Sequence, residues 1–109
     1  MENRITRILR QSAEVLKESS EIDGWTLWDI VAEVSVEDGM PSLTKDRCRM
    51  VLNMAVPIED RDETFYYYIQ RRVKDKKAAT WDILNQAIKI ANEKIDAEEA
   101  AYLETGEIK

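Results

Sequence analysis

Residues 26–56 read TLWDIVAEVSVEDGMPSLTKDRCRMVLNMAV, and they indicate two helices joined by a polar connection at 35–41, which is longer than the tight turn of a simple helix-turn-helix. In the first half, apolar residues recur every three or four positions, which is the spacing of one helix face; they are Leu27, Ile30, Val31 and Val34. Thr26 is a suitable N-cap, and Asp29 stands at the position where an acid favours the positive end of a helix. The pattern predicts a helix over 26–36 that ends before Gly39.

The second half of this stretch predicts a basic helix. Ser42 or Thr44 is able to cap its start, and Pro57 blocks its continuation. The side chains expected to face inward are Leu43, Cys48, Val51, Leu52 and Ala55. Those expected to face outward are Lys45, Arg47, Arg49 and Asn53. A helix followed by an acidic connection and a basic helix indicates a helix-turn-helix-like core, which we expect to span residues 4–77.

Helical spacing extends on both sides of this core. Upstream, a first helix is predicted from about Arg4 to Glu18, with the inward residues Ile5, Ile8, Leu9, Ala13, Val15 and Leu16. Downstream, Thr80 is a plausible N-cap for a long amphipathic helix over 80–104. Its apolar stripe, which suits either the core or a seam between two copies, comprises Trp81, Leu84, Ile88, Ala91 and Ile95.

The segment from Glu59 to Arg72 suits two secondary structures. A row of aromatic residues is typical of a strand, and a short β wing at 56–70 would follow. The helical alternative has capping-box spacing between Asp60 and Glu63 and places Phe65, Tyr68, Ile69 and Val73 on one face. The pattern slightly favours the helix.

Composition favours few, long helices in one domain. The chain has 109 residues, with only three glycines and two prolines, so it is poor in the residues that make tight turns. A second independent core would leave each half too small. We therefore expect a mainly α fold over residues 1–109, with four to five helices, a possible short β wing and a long C-terminal helix.

The residue inventory argues against catalysis. The chain has no histidine and a single cysteine, Cys48, so the Cys/His sets that bind zinc and the usual nucleophile–base pairs are missing. No glycine-rich phosphate-binding motif occurs. Neighbouring arginines could lower the pKa of Cys48, but an apolar-face cysteine favours packing. We expect a non-enzymatic, cytoplasmic protein without cofactor or metal, with no signal peptide or membrane span.

The distribution of charge keeps nucleic acid open as a partner. The net charge is -6, which disfavours phosphate binding, but residues 42–57 and 64–79 are each net basic. In a DNA-binding hypothesis, the basic helix would enter the major groove and the second basic segment would grip the flanking backbone. The residues implied are Lys45, Arg47, Arg49, Asn53, Arg71, Arg72, Lys74, Lys76 and Lys77.

The run Asp23-Gly24-Trp25-Thr26-Leu27, the short helix, the acidic connection and the basic third helix together resemble small winged helix-turn-helix regulators of the PadR type. The resemblance covers the layout of roughly residues 5–105. It implies a transcriptional regulator that reads DNA and pairs two copies through its last helix. In place of that family's arginine-rich strand, this chain has Asp60-Arg-Asp-Glu-Thr64.

A different class of function fits the net charge better. The chain would then be a small acidic protein that binds another protein, as an inhibitor, an adaptor or a nucleic-acid mimic. The acids that would form its negative face are Asp23, Asp29, Glu33, Glu37, Asp38, Glu59, Asp60, Asp62 and Glu63. Under either hypothesis, Trp25, Trp28 and Trp81 are expected to anchor the core.

Overall fold

The computed structural model describes residues 2–106, and within this range the chain forms six α-helices and no β-strand. The helices are α1 (Arg4–Lys17), α2 (Gly24–Glu37), α3 (Pro41–Met54), α4 (Phe65–Arg72), α5 (Lys76–Lys94) and α6 (Ala97–Thr105). The expected mainly α fold is confirmed. The expected number of helices, four to five, is too low.

Short polar side chains fix where four of the helices begin. Asn3, Asp23, Asp75 and Asp96 each accept a hydrogen bond from the backbone N–H three residues later, at 2.8–3.0 Å. Each bond satisfies one of the amides that a helix leaves without a partner in its first turn. The starts of α1, α2, α5 and α6 are therefore encoded locally.

The predicted caps of three helices are wrong. Ser42 and Thr44 lie inside α3, whose N-cap is Met40 and makes no side-chain capping bond. In the other two helices the predicted threonine is replaced as cap. Thr26 donates its backbone N–H to Asp23 and lies inside α2, so this helix starts at Gly24. Thr80 is fully buried within α5, where its hydroxyl donates to the carbonyl of Lys76 at 2.6 Å. In both places an aspartate earlier in the sequence caps the helix instead, since a carboxylate accepts the amide more strongly than a hydroxyl does.

The core is aliphatic apart from one aromatic ring. Its fully buried large side chains are Ile5, Ile8, Leu9, Leu16, Leu27, Val31, Leu52, Val56, Phe65, Ile69, Leu84 and Leu103. The inward faces predicted for α1, α2 and α3 largely agree with this set, but Val15 is 45% exposed. Cys48 is completely buried, as its position on the inward face of α3 predicts.

The proposed β wing at 56–70 is absent. This part of the chain instead forms a 3₁₀ turn over Ile58–Asp60, followed by α4. Phe65 and Ile69 both have 0% exposure, so the helical spacing of this pair buries them on the same side of α4. The helical interpretation is confirmed for Phe65–Arg72, but the predicted capping box is wrong, because Thr64 is the N-cap and Asp60 lies in the preceding 3₁₀ turn.

The long C-terminal helix predicted for 80–104 is two helices. Ile95 has an extended backbone, with φ -83° and ψ 113°, and ends α5; Asp96 then caps α6. The chain turns back here, so that α6 packs against α1 and buries Leu103. Ile95 continues the three- or four-residue spacing of apolar side chains across this break. The sequence pattern therefore did not show that the helix ends there.

Arg4 joins α1 to the ends of α2 and α6. Its guanidinium donates to the carboxylate of Asp38 at 2.5 Å and to the carbonyl of Asp38 at 2.7 Å. It also donates to the carbonyls of Leu103, at 2.7 Å, and Glu104, at 3.3 Å. A buried cation thus satisfies carbonyls at two helix C-termini, where the helix dipole favours positive charge.

The connection between α2 and α3 is three residues long, Asp38–Met40. Gly39 has φ 92°, a left-handed conformation that glycine adopts without steric cost. Pro41 begins α3, where its missing N–H is no loss. The connection is shorter than the sequence suggested, because α2 continues to Glu37 and α3 starts at Pro41.

Candidate functional site

The most distinctive surface of the protein consists of aromatic side chains from α2 and α4. Trp25 lies 4.8 Å from Tyr66 and 5.3 Å from Tyr67 between ring centroids, and Trp28 stacks on Tyr66 at 6.0 Å. Trp25 is 42% exposed, whereas the other three rings are partly buried. We call Trp25, Trp28, Tyr66 and Tyr67 the aromatic surface.

Gly24 allows the two helices that carry this surface to approach each other. A β-carbon on Gly24 would lie 2.8 Å from both the Cα and the carbonyl oxygen of Tyr66, which is closer than real atoms pack. The N–H of Gly24 donates to Oε1 of Gln70 at 3.0 Å. The absence of a side chain at Gly24 therefore admits the backbone of α4.

A cation lies over each side of the aromatic surface. The Nζ of Lys45 is 5.4 Å from the ring centroid of Trp28, and the guanidinium carbon of Arg71 is 4.5 Å from that of Tyr67. Such contacts are electrostatically favourable because the faces of aromatic rings carry negative potential. Partly exposed aromatic rings beside an arginine have the composition of binding hot spots in protein interfaces.

The sequence led us to expect that the tryptophans anchor the core. In the structure they do not form its centre. Trp28 and Trp81 pack against the core from its periphery, and Trp25 reaches solvent. The exposure of Trp25 could have been predicted from its angular position around the helix axis. Trp25 lies about 160° around α2 from Leu27, and so opposite the apolar stripe, at about 100° per residue.

The residues of α3 suggested for DNA reading have partners inside the protein. Arg47 pairs with Glu99 at 2.6 Å, and Arg49 lies 3.4 Å from Asp46. Asn53, expected to face outward, is partly buried and accepts the backbone N–H of Phe65 at 2.9 Å. With Lys45 over Trp28, each of the four makes an interaction within this protein.

The second basic segment divides into paired arginines and free lysines. Arg72 contacts Asp60, Asp62 and Glu63 at 2.8–3.2 Å, and its hydrogen bonds to Asp60 and Asp62 raise the pKa of the guanidinium. Arg71 lies 3.6 Å from Glu63. Between residues 2 and 106, no ion pair involves Lys74, Lys76 or Lys77.

Five of the nine acids suggested for one negative face bind groups within the protein. Asp23 caps α2, Asp38 binds Arg4, and the acids at 60–63 surround Arg72. The exposed acids for which the described residues supply no partner are Asp29, Glu33, Glu37 and Glu59. The two acidic regions therefore do not contribute all their charge to a common surface.

The predicted dimer stripe is split between the core and the surface. Leu84 and Ala91 have 0% exposure and pack inside the protein. Trp81, Ile88 and Ile95 are only partly buried. Two members of the stripe are thus unavailable to a second copy, whereas the other three keep part of their surface free.

The described residues contain no metal-binding cluster, and the thiol of Cys48 is not activated. Residues 2–106 contain no group of three acids or cysteines positioned to hold a metal ion. Burial raises the pKa of the Cys48 thiol to about 12, and the negative charge of Asp38 adds to the shift. The arginines beside Cys48 in sequence therefore do not activate it. None of the described helices is both long enough and apolar enough to cross a membrane.

No protein-family model, curated protein or solved structure matches this chain. The resemblance to PadR-type regulators consequently rests on the residues quoted for it. Its wing is the part that the fold contradicts.

Proposed function

We propose that the chain is a small protein-binding module that recognises its partner through the aromatic surface. The observation that carries the proposal is the contact of the exposed Trp25 ring with the partly buried rings of Tyr66 and Tyr67, with Arg71 over Tyr67. Aromatic and arginine side chains supply a large part of the affinity in protein interfaces because they bury much area at little entropic cost. The surface is held by α2 and α4, so little ordering is needed on binding.

The pairing of charges supports a protein partner over a nucleic acid. The arginines suggested for phosphate contacts already hold carboxylates, so binding a phosphate would break or share those ion pairs. The exposed side of α3 also presents Asp46, Met50 and Met54, and an acid facing DNA is repelled by its backbone. Lys45, which has no ion-pair partner among residues 2–106, suits a partner with an acidic group beside an apolar contact.

The test is affinity capture from an extract of the source organism, with the chain immobilised through its C-terminus. Three baits are compared, the native chain, Trp25→Ala, and the control Val15→Ala, which removes an exposed apolar side chain from α1. A protein retained by the native and Val15→Ala baits and lost with Trp25→Ala is then purified and titrated. We expect Trp25→Ala to weaken its binding by roughly 30-fold, equivalent to about 2 kcal/mol. Equal binding by all three baits would refute the proposal.

A second candidate function, a dimeric DNA-binding regulator, is favoured by the connection between α2 and α3. Three residues with a glycine in the left-handed region match the turn of a helix-turn-helix motif. The lysines at 74, 76 and 77 have no acidic partner among residues 2–106 and could contact phosphates. This candidate requires binding without a wing and with Arg47 and Arg49 released from their acids.

Fluorescence anisotropy with mixed duplex DNA, at low and at moderate salt, separates the two candidates. The regulator hypothesis expects binding that falls steeply with salt. It also expects Lys76→Ala to weaken all sequences alike, and Arg47→Ala and Arg49→Ala to reduce discrimination between sequences. Such binding, unaffected by Trp25→Ala, would replace the protein-binding proposal. Its absence at low salt would eliminate the regulator.

A further inference from the structure

The aromatic surface carries hydrogen-bond donors that the protein itself does not use. They are the hydroxyls of Tyr66 and Tyr67 and the indole N–H groups of Trp25 and Trp28, and no acceptor within residues 2–106 binds them. In this part of the chain, the enclosed side-chain atoms that lack a hydrogen bond all belong to other residues, so these donors reach solvent. Tyrosine and tryptophan usually find an acceptor when a partner covers them. The partner must therefore present acceptors beside its apolar groups.

A helix is a poor match for these donors. Its carbonyl groups are bonded within the helix, except in the last turn, so it has few acceptors to offer along its length. Donors that a partner covers without bonding them cost binding free energy. In addition, the backbones of α2 and α4 are in contact at Gly24 and Tyr66, which leaves no groove between them for a third helix.

A β-strand has no edge to pair with at this surface. Binding by strand addition requires an exposed strand whose backbone groups are free. The part of the chain that the structure describes contains no strand, and the aromatic surface stands on two α-helices. The partner segment is therefore neither a helix nor an added strand.

A polyproline II segment has both features that the surface requires. It forms no internal hydrogen bonds, so its carbonyl groups are free to accept, and its proline rings are compact apolar groups that pack on aromatic faces. The rings of Trp25 and Tyr67 stand at 85° to each other. The surface thus presents ring planes in two directions, which suits a helix with three residues per turn whose proline rings project around its axis.

An unpaired acid beside the aromatic surface adds a charge preference. Asp29 follows Trp25 by four residues on α2, so the two side chains lie on the same side of this helix. Asp29 is exposed, and residues 2–106 supply no ion-pair partner for it. A basic side chain next to the prolines of a ligand would complement this carboxylate.

We propose that the partner segment bound by the aromatic surface is a proline-rich stretch in the polyproline II conformation, flanked by a basic residue that contacts Asp29. The inference rests on the proposed function and adds the chemical class of the ligand. Proline rings pack on Trp25 and Tyr67, the free donors of the surface bond the carbonyl groups of the ligand, and Asp29 selects the flanking cation. Because the ligand conformation is already formed in solution, little entropy is lost on binding.

The test is a titration of the native full-length chain, followed by nuclear magnetic resonance of its indole N–H groups. The probe is a synthetic peptide of about ten prolines with an arginine at one end. We expect a dissociation constant below about 1 mM. The signals of Trp25 and Trp28 should shift, whereas that of Trp81, on α5, should not. A glycine–serine peptide of the same length, with the same arginine, is flexible and should bind at least about ten-fold more weakly.

Four variants assign the contacts. Trp25→Ala should weaken binding of the proline peptide at least about ten-fold. Tyr67→Phe keeps the ring and removes only the hydroxyl, so it should weaken binding by about five-fold. Asp29→Asn should bind peptides with and without the arginine equally well. The control Val15→Ala, which changes an exposed side chain of α1, should bind like the native chain.

The inference is overturned if the native chain does not bind the proline peptide up to about 1 mM, or binds it no less tightly as Trp25→Ala. An alanine-rich helical peptide with the same arginine that bound as tightly would overturn it too. So would tighter binding of a single-stranded oligothymidine, since exposed aromatic rings also stack on bases. If Trp25→Ala loses its fold, as judged by circular dichroism, Tyr67→Phe decides.

The same peptide separates this inference from the proposed function. A captured partner that depends on Trp25 and is displaced by an excess of the proline peptide supports both. A partner that depends on Trp25 but stays bound at saturating peptide overturns the proline-rich ligand alone. Loss of every Trp25-dependent partner overturns the proposed function itself.

Discussion

The backbone of Tyr66 lies so close to Gly24 that a β-carbon at position 24 would sit 2.8 Å from the Cα and from the carbonyl oxygen of Tyr66. Both obstructing atoms are backbone, so they cannot move without shifting α4. This single contact determines how α4, and with it the aromatic surface, lies against α2.

We therefore expect Gly24→Ala to destabilise the protein, although alanine is the better helix former. Overpacking costs about 1 to 3 kcal/mol, which exceeds a gain in helix propensity of at most about 1 kcal/mol. Urea denaturation measures the free energy of unfolding, and tryptophan fluorescence reports the displacement of Trp25 and Trp28. Glu33→Ala, exposed on the same helix, is the control and should change stability by less than about 0.5 kcal/mol. A Gly24→Ala protein as stable as the native one would contradict the contact.

Arg4→Lys should be strongly destabilising, although the charge is kept. Three guanidinium nitrogens of Arg4 bind Asp38, Leu103 and Glu104, and one ammonium cannot reproduce this geometry. Breaking a buried ion pair costs about 3 to 5 kcal/mol, and we expect Arg4→Ala to reach that range and Arg4→Lys to lose about half of it. Thermal and urea unfolding measure both. Arg10→Lys is the matched control, since Arg10 pairs with Glu2 at the surface, and its effect should be close to zero.

Asn53→Ala should weaken α4 from a distance in the sequence. Thr64 occupies the N-cap position of α4 but makes no capping bond with its side chain; Asn53 instead accepts the N–H of Phe65. Loss of such a bond costs about 1 kcal/mol. Asn53→Asp keeps the accepting oxygen and adds a negative charge near the helix N-terminus, so its stability should equal that of the native protein. Faster amide exchange at Phe65 in Asn53→Ala alone would support the assignment, and equal losses in both variants would contradict it.

The buried thiol of Cys48 should make stability fall at alkaline pH. Its pKa is about 12 in the folded protein and 9.0 in its ordinary state, because burial disfavours the thiolate. A raised folded-state pKa gives stability that is present below pH 9 and is lost as the pH rises towards 12. The slope is about 1.4 kcal/mol per pH unit in this window. The difference between native and Cys48→Ala chains, followed by urea denaturation across it, isolates this group from the tyrosines and lysines. Parallel curves for the two chains would rule out the shift.

The sequence predicted what depends on local spacing. The inward faces of α2 and α3 and the helical nature of α4 follow from the spacing of apolar residues such as Leu27, Leu52 and Ile69. This spacing is visible within each helix's own sequence and does not depend on contacts with other segments. The spacing did not determine the N-caps. Asp23 and Thr26 are both residue types that cap α2 well, and Asp75 and Thr80 are both residue types that cap α5 well. The structure favours the aspartate each time.

What the sequence could not predict depends on contacts between distant segments. Nothing near Asn53 indicates that it accepts a hydrogen bond from Phe65, and nothing near Arg47 indicates Glu99. The same holds for the aromatic surface, which needs α2 and α4 side by side. The basic side chains in the sequence suggested contacts with phosphates. Only the fold shows that the arginines in this set form ion pairs with acids of the same chain.

The hydrogen bonds of Arg4 also have a consequence for the order of folding. Its partners Asp38 and Leu103 lie 34 and 99 positions along the chain, so both bonds require long loops to close. The entropy of closing a loop grows with its length, which makes the contact with α6 the costlier one to form. Helix α6 is then expected to dock last and to detach first, leaving α1 through α5 as the cooperative unit that holds the molecule together.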